Sequence, residues 1–380
     1  MTRLGLHLVV LLAVLVVASS FGPVLADEQG PPPSQLADLL GSDADEAFAR
    51  ALQPRTFTFP EDHGPHPEFR NEWWYVTGNL DDDDGRRFGF ELTVFRFALA
   101  PTAPASESAW RTNQVYIAHL AVTDAEAEDF FVAQRYSRGA VGIAGAQATP
   151  LRVWIDDWDL AVQPDTDSWR LRAVDDSIGI DLTLLPLKSP VLNGIDGLSQ
   201  KSDDPANASY YYSITRMQSD GQIYIGENSY TVSGLSWLDR EWSTSALAAT
   251  QVGWDWFALQ LDDGSELMFY GLRLQDGSKD RNSAGTFVDA DGGVSHLDAG
   301  DVEISVLEYW ESPAGGAYPA RWQLRVPRLD LNLTVVPVIS DQELFTTVRY
   351  WEGAVDVKGQ HNQLAIGGRG YVELTGYATD

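Results

Sequence analysis

From Phe57 to the C-terminus the chain alternates apolar and polar residues with period two, in short runs broken by turn residues, and no helical repeat interrupts the series. Many short strands without intervening helices leave sandwiches and barrels as the available folds. The first series includes Trp73–Thr77, which runs into Gly78, and Arg87–Leu99, where aromatic and polar residues alternate. Between them, Asp81-Asp82-Asp83-Asp84-Gly85 reads as a hairpin loop. It lacks the spaced ligands of a calcium loop, so a solvated turn is expected. Val115–Thr123, Arg152–Ile155, Asp159–Val162, Trp169–Val174, Ile178–Leu185, Ser209–Met217, Gln222–Ile225 and Tyr230–Gly234 continue the series.

A second series opens near Gly253. Trp256–Leu261, the turn Asp262-Asp263-Gly264 and Glu266–Leu274 form a strong hairpin signal, and the series runs on through Gln363–Gly367 and Gly370–Tyr377. The expected fold is all-β, with one barrel over residues 56–242, a linker over 243–251 and a second barrel over 252–380. Glu72–Gly78 and Tyr371–Tyr377 echo each other weakly, as two similar halves would.

The first 26 residues read as an export signal. Arg3 supplies the positive start, and Leu4–Val17 is apolar but for Gly5 and His7. Val24-Leu25-Ala26 then offers a cleavage site before Asp27-Glu28. The apolar run is shorter than the ~20 residues of a spanning helix, and no later stretch is apolar enough to span. The mature protein is therefore expected to be periplasmic or extracellular. Residues 27–55 read as a tether, with Pro31-Pro32-Pro33 followed by short helices: Ser34 capping Gln35–Leu40 and Asp43 capping Ala44–Leu52.

The chain has no cysteine, which removes disulfides, thiolate metal sites and cysteine nucleophiles. Acidic residues outnumber basic ones 55 to 26, a net charge of −29, so nucleic acid and anionic membrane are poor partners. No Gly-x-Ser-x-Gly elbow and no phosphate-binding glycine loop opening a helix is present. His63 and His66 share a loop before the first strand, where a turn-stabilising role is expected in place of a metal site; no metal and no cofactor is expected.

Charges embedded in aromatic strands are the unusual feature. Glu72 precedes Trp73-Trp74, Glu91 and Arg96 lie within Phe88–Phe97, and Asp239-Arg240-Glu241-Trp242 follows Trp237. Asp255 sits between Trp254 and Trp256, Glu352 adjoins Trp351, and Glu373 follows Tyr371. Because alternate strand residues face one way, some of these carboxylates should look into a barrel. Two roles are open to them. An acid in an apolar cavity has its pKa raised by desolvation and can donate a proton near neutrality. Alternatively, the acids pair with Arg96, Arg216, Arg240 and Arg349 as structural bridges. His119, on the face of Val115 and Ile117, is either a core residue or a group titrating near neutrality.

The runs Phe59–Pro67, Arg70–Leu80, Asn207–Ser213, Gly234–Trp242, Asp255–Leu261, Arg349–Ala354 and Gly370–Tyr377 resemble the AttH-like and carotenoid 1,2-hydratase family, from about Ala47 to the C-terminus. The resemblance implies two consecutive lipocalin-like (calycin-type) β-barrels, and a cofactor-free hydro-lyase acting on an apolar isoprenoid or polyene. Asp239-Arg240-Glu241-Trp242 matches a family motif at the Asp and the Trp, with Arg in place of His. Related barrels are also associated with pericyclic cyclisation. On this reading Asp239 or Glu241 is the acid, with His119 a further catalytic candidate; Glu72, Trp74, Arg96, Tyr212, Trp237, Trp242, Trp256 and Tyr371 are the candidates for the ligand, and Trp242, Trp237 and Tyr212 among them would stabilise the cation. A non-catalytic carrier would need only the cavity, and a scaffold with solid barrels would need neither cavity nor acid.

Overall fold

The computed structural model describes residues 34–35, 47–103, 105–244 and 247–378. The expected export signal lies outside them, as do Leu36–Leu40 and Ala44–Glu46 of the expected helices. Where those helices reach described residues, the structure differs: Ser34–Gln35 pairs in parallel with Val348–Arg349, and 47–52 is not helical. Isolated helices this short are marginal in water, and the strand edge supplies backbone partners in their place. The helical turns among the described residues are two short 3₁₀ segments, Glu61–His63 and Pro327–Leu329. No described helix is long and apolar enough to cross a membrane.

Eight strands build the site. In the first half these are β1 (Asn71–Asp82), β2 (Arg87–Ala98), β3 (Ala208–Ile225) and β4 (Asn228–Ser243). In the second half they are β5 (Gln251–Leu261), β6 (Glu266–Leu274), β7 (Val348–His361) and β8 (Leu364–Leu374). Each half is one large sheet in which the first strand pairs with both the second and the last: β1 lies between β2 and β4, and β5 between β6 and β8. The last strand then pairs with the one before it, β4 with β3 and β8 with β7. Each sheet curls around its own core. Trp74, Val76, Phe90, Leu171 and Trp242 fill the first, and Phe257, Trp322, Leu333, Trp351 and Val372 the second. The result is two consecutive lipocalin-like barrels.

The two halves share one pairing frame. Tyr75 of β1 faces Thr93 and Asp239 across its two neighbours, as Trp256 of β5 faces Tyr270 and Glu373. Asp239 is opposite Ser213, as Glu373 is opposite Glu352. The β1–β2 and β5–β6 hairpins both close on an acidic turn ending in a glycine with positive φ, Gly85 (85°) and Gly264 (83°), where a side chain would be strained. Asp82 Oδ1 accepts the backbone N–H groups of Asp84 and Arg86, so the four-aspartate loop is a self-bonded turn. The weak echo noted above does not mark equivalent strands: Glu72–Gly78 lies in opening strand β1 and Tyr371–Tyr377 begins in closing strand β8. The counterpart of β1 is β5.

Two expected strands, Ser209–Met217 and Gln222–Ile225, are one continuous β3, and Tyr230–Gly234 extends to Ser243. Ser219-Asp220-Gly221 has turn composition, yet each residue stays paired with β4. Asp129–Arg138 and Ala144–Gln147 are strands the alternation did not reveal. Between the barrels lies a third apolar layer containing Tyr75, Tyr211, Trp237, Trp256, Tyr270 and Tyr371. The central strands are therefore buried on both faces, which is why they carry charges amid aromatics and not a clean polar–apolar alternation.

Candidate active site

Strand β4 presents two chemistries because alternate residues face opposite ways. Leu238 and Trp242 enter the core of the first barrel, whereas Trp237 joins the layer between the barrels and Asp239, Glu241 and Ser243 line a cavity there. The cavity measures about 80 Å³. Trp73, Tyr75 and Tyr211 wall it from the first barrel, Trp254, Trp256, Tyr270 and Tyr350 from the second, and Glu373 faces it from β8. Of the carboxylates noted among the aromatic strands, Asp239, Glu241 and Glu373 thus look not into a barrel but between the two.

Asp239 is buried and bound by three donors: the Tyr211 hydroxyl, the Ser213 hydroxyl at 2.5 Å and the Trp237 indole N–H at 2.7 Å. It makes no ion pair among the described residues. Burial lifts its carboxyl to about 6 although all three donors favour the anion. A hydrogen-bond chain fixes Ser213 from the second barrel. Thr286 donates to Asn193 Oδ1 at 2.8 Å, and Asn193 Nδ2 donates to Ser213 Oγ at 2.8 Å, leaving the serine proton for Asp239. Asn193→Ala should release that serine and raise the Asp239 midpoint by about one pH unit. The Trp237 indole N–H resonance, followed by NMR across pH, reads it directly. A midpoint that stays put while thermal stability falls would show Asn193 to be structural only.

Glu241 is committed to an ion pair with Lys201 at 3.1 Å, and Lys201 stands 4.0 Å from the Tyr270 ring centroid. Burial opposes the ammonium charge, but Glu241 and Tyr270 outweigh it and hold Lys201 above its ordinary range. Glu373, the counterpart of Asp239, has no cation paired with it among the described residues. Burial, with the charges of Asp239 and Glu241 beside it, pushes it up to about 8 against the pull of the Trp254 indole. Glu352 and Glu91 stand behind the Tyr75 and Tyr350 wall, both fully buried, and their carboxylate oxygens complete no hydrogen bond. Burial first and mutual repulsion second drive Glu352 well above the carboxylate range; burial and Glu373 do the same for Glu91. With its carboxyl lifted to about 8, Glu373 is mostly in the acid form near neutral pH.

Raised carboxyls make the fold sensitive to pH with a definite sign. A carboxyl whose folded pKa is raised binds more protons folded than unfolded, so its contribution is full below about 4.5 and is lost as pH rises through the folded value. Glu373 therefore costs stability between about pH 4.5 and 8. Glu373→Gln should remove that slope and gain roughly 2–4 kcal/mol over wild type at pH 8.5, relative to the difference at pH 4.5. Urea denaturation of both proteins at the two pH values checks it. Parallel stability curves would show that Glu373 is ionised throughout.

The AttH-like family profile matches residues 50–377. The chain belongs to the AttH-like family. A crystal structure of an AttH-type protein from Nitrosomonas europaea is 32% identical and superimposes with a TM-score of 0.77, over 87% of this chain and all of that one. Kievitone hydratase from Nectria haematococca shares the fold at 16% identity and a TM-score of 0.65, over 92% of this chain and 99% of that one. CghA in complex with Sch210972 does so at 13% and 0.51, over 88% and 97%. No curated protein sequence matches the chain.

In this AttH-like protein the residues anticipated from sequence divide between two places. Asp239, Glu241 and Trp256 meet at the cavity, with Trp237 bonded to Asp239. Tyr371 is in the same inter-barrel layer. Glu72, Trp74, Arg96, Tyr212 and Trp242 are on the opposite face, none of them lining the cavity. They form a closed end to the first barrel: Glu72 receives the guanidinium groups of Arg96 and Arg240, and its two oxygens accept the His66 backbone N–H. Arg240 lies 4.0 Å over the Trp74 ring, and the His66 ring stacks on Trp242 at 3.8 Å. Both rings of the loop pair are engaged, His63 with the Tyr212 hydroxyl at 2.6 Å and His66 with Asp62 at 3.0 Å.

His119 is wholly buried behind Tyr350, whose hydroxyl is 2.8 Å from its Nδ1, and burial lowers its pKa to about 3. It stays neutral at physiological pH. The anticipated arginine bridges are present at Glu72 with Arg96 and Arg240, Glu266 with Arg216, and Glu343 with Arg349. Sequence reading did not place Lys201, Tyr211 or Tyr350 in a site. Glu91, Glu352 and Glu373 stood out as charges among aromatics, and that signal alone singled them out.

Proposed function

We propose that the chain is an exported, cofactor-free hydro-lyase that adds water to a double bond at the end of an apolar, isoprenoid-type molecule. One observation carries this reading: two carboxyl groups in one aromatic cavity are pushed to opposite sides of neutrality, Glu373 towards about 8 and Asp239 towards about 6. Such a pair supplies an acid and a base at the same pH. Glu241 is neutralised by Lys201, which leaves the acid role to Glu373.

The alkene π pair takes the Glu373 proton, forming a C–H bond and leaving a cation on the more substituted carbon. The aromatic faces of the cavity favour that cation. Asp239 accepts a proton from water as the water oxygen bonds to the cation, and the proton gained by Asp239 later returns to Glu373. A cavity of this size holds the end of a polyene, not its length. The fold shared with a hydratase is consistent with the reading but is an analogy of scaffold.

A carrier would use the same walls without turnover, and one experiment separates the two. Purified protein is incubated with the apolar extract of its host in isotopically labelled water. A product heavier by one labelled water is expected. A molecule retained by the protein with its mass unchanged would establish the carrier instead.

A further inference from the structure

We infer that this cavity binds small quaternary-ammonium ions, with choline as the probe of suitable shape. The inference rests on the reading of the inter-barrel cavity as the functional site. Aromatic rings carry negative faces, and a box of them attracts an organic cation strongly once water is excluded. Trp73, Tyr75, Tyr211, Trp254, Trp256 and Tyr350 make such a box from both barrels.

The charges point the same way. Lys201 brings the one cation among the cavity-lining residues, and Glu241 already balances it. Asp239 faces the space held by three neutral donors and with no ion pair among the described residues, so an ammonium ion beside it would complete a charge pair. Glu373 adds a second carboxyl that can ionise beside a bound cation. The size is matched as well, since about 80 Å³ is the room of roughly half a dozen waters, comparable to a trimethylammonium head group.

The test compares choline with 3,3-dimethylbutan-1-ol, which has the same shape with carbon in place of the charged nitrogen. Calorimetric titration of the full chain at pH 8 and constant ionic strength should show choline binding at least tenfold more tightly than the alcohol. Asp239→Asn should weaken choline at least tenfold and leave the alcohol unchanged. Trp254→Ala, at a half-buried wall position, should weaken choline too, and serves if the first variant unfolds. Equal or tighter binding of the alcohol, or no heat with choline, overturns the inference. Choline binding without water addition would keep it and remove the hydro-lyase reading; water addition without choline binding would do the reverse.

Discussion

Glu72→Gln is expected to lower folding stability by about 3–5 kcal/mol, the cost of breaking a buried ion network at one member. Glu72 is fully buried and takes Arg96 on one oxygen and Arg240 on the other. Burial alone would raise its pKa, but the two guanidinium groups outweigh it and hold the carboxyl far below the usual range. The glutamine keeps the shape and loses the charge, which strands two buried cations. Their remaining partners are uncharged: the carbonyls of Phe69 and His66 and the Gln114 amide oxygen for Arg96, and the carbonyls of His63, Gly64, Trp73 and Glu241 with His66 Nδ1 for Arg240. A folded pKa depressed in this way contributes stability above the unfolded value of about 4.3 and loses it only as pH falls towards the folded one. The deficit of the variant should therefore be flat from pH 6 to 8, in contrast to the sloping effect at Glu373. Urea unfolding at those two pH values measures it, and a loss under 1 kcal/mol would mean the network does not hold the barrel end.

Asp239→Asn and Glu373→Gln are each expected to reduce water addition about 10²–10⁴-fold, the usual worth of a general acid or base. The two should fail differently. Wild-type turnover should trace a bell, rising as Asp239 ionises near 6 and falling as Glu373 loses its proton near 8. Asp239→Asn should abolish the rising limb and Glu373→Gln the falling one, with the residual activity nearly independent of pH on that side. Far-ultraviolet circular dichroism separates lost chemistry from lost fold, since both replacements are close in shape. If both variants retain the wild-type rate and bell, neither carboxyl takes part.

Alternation in the sequence exposed most of the architecture. The hairpin at Asp262-Asp263-Gly264, the strand Glu266–Leu274 and the break between Ser243 and Gln251 could all be read from turn residues and period two. The strand Asp129–Arg138 could not, because it is mostly half-exposed at the edge of the first sheet and shows no buried face. Nor could the continuity of β3, where Ser219-Asp220-Gly221 looks like a turn but sits on neighbours able to keep pairing.

The site was half legible for a related reason. Period two establishes that Asp239 and Glu241 share a face, and that Arg240 and Trp242 share the other. It does not say what covers either face. The sequence by itself determined the strands, the two series of them, and the unusual charges set among tryptophans and tyrosines. Only the tertiary structure decided that Glu72 and Arg96 close a barrel while Asp239 and Glu373 meet in a cavity. That choice depends on how one curled sheet packs against the other, bringing residues over a hundred positions apart to the same space. On a strand buried on both sides, local pattern carries no mark that separates interior from interface.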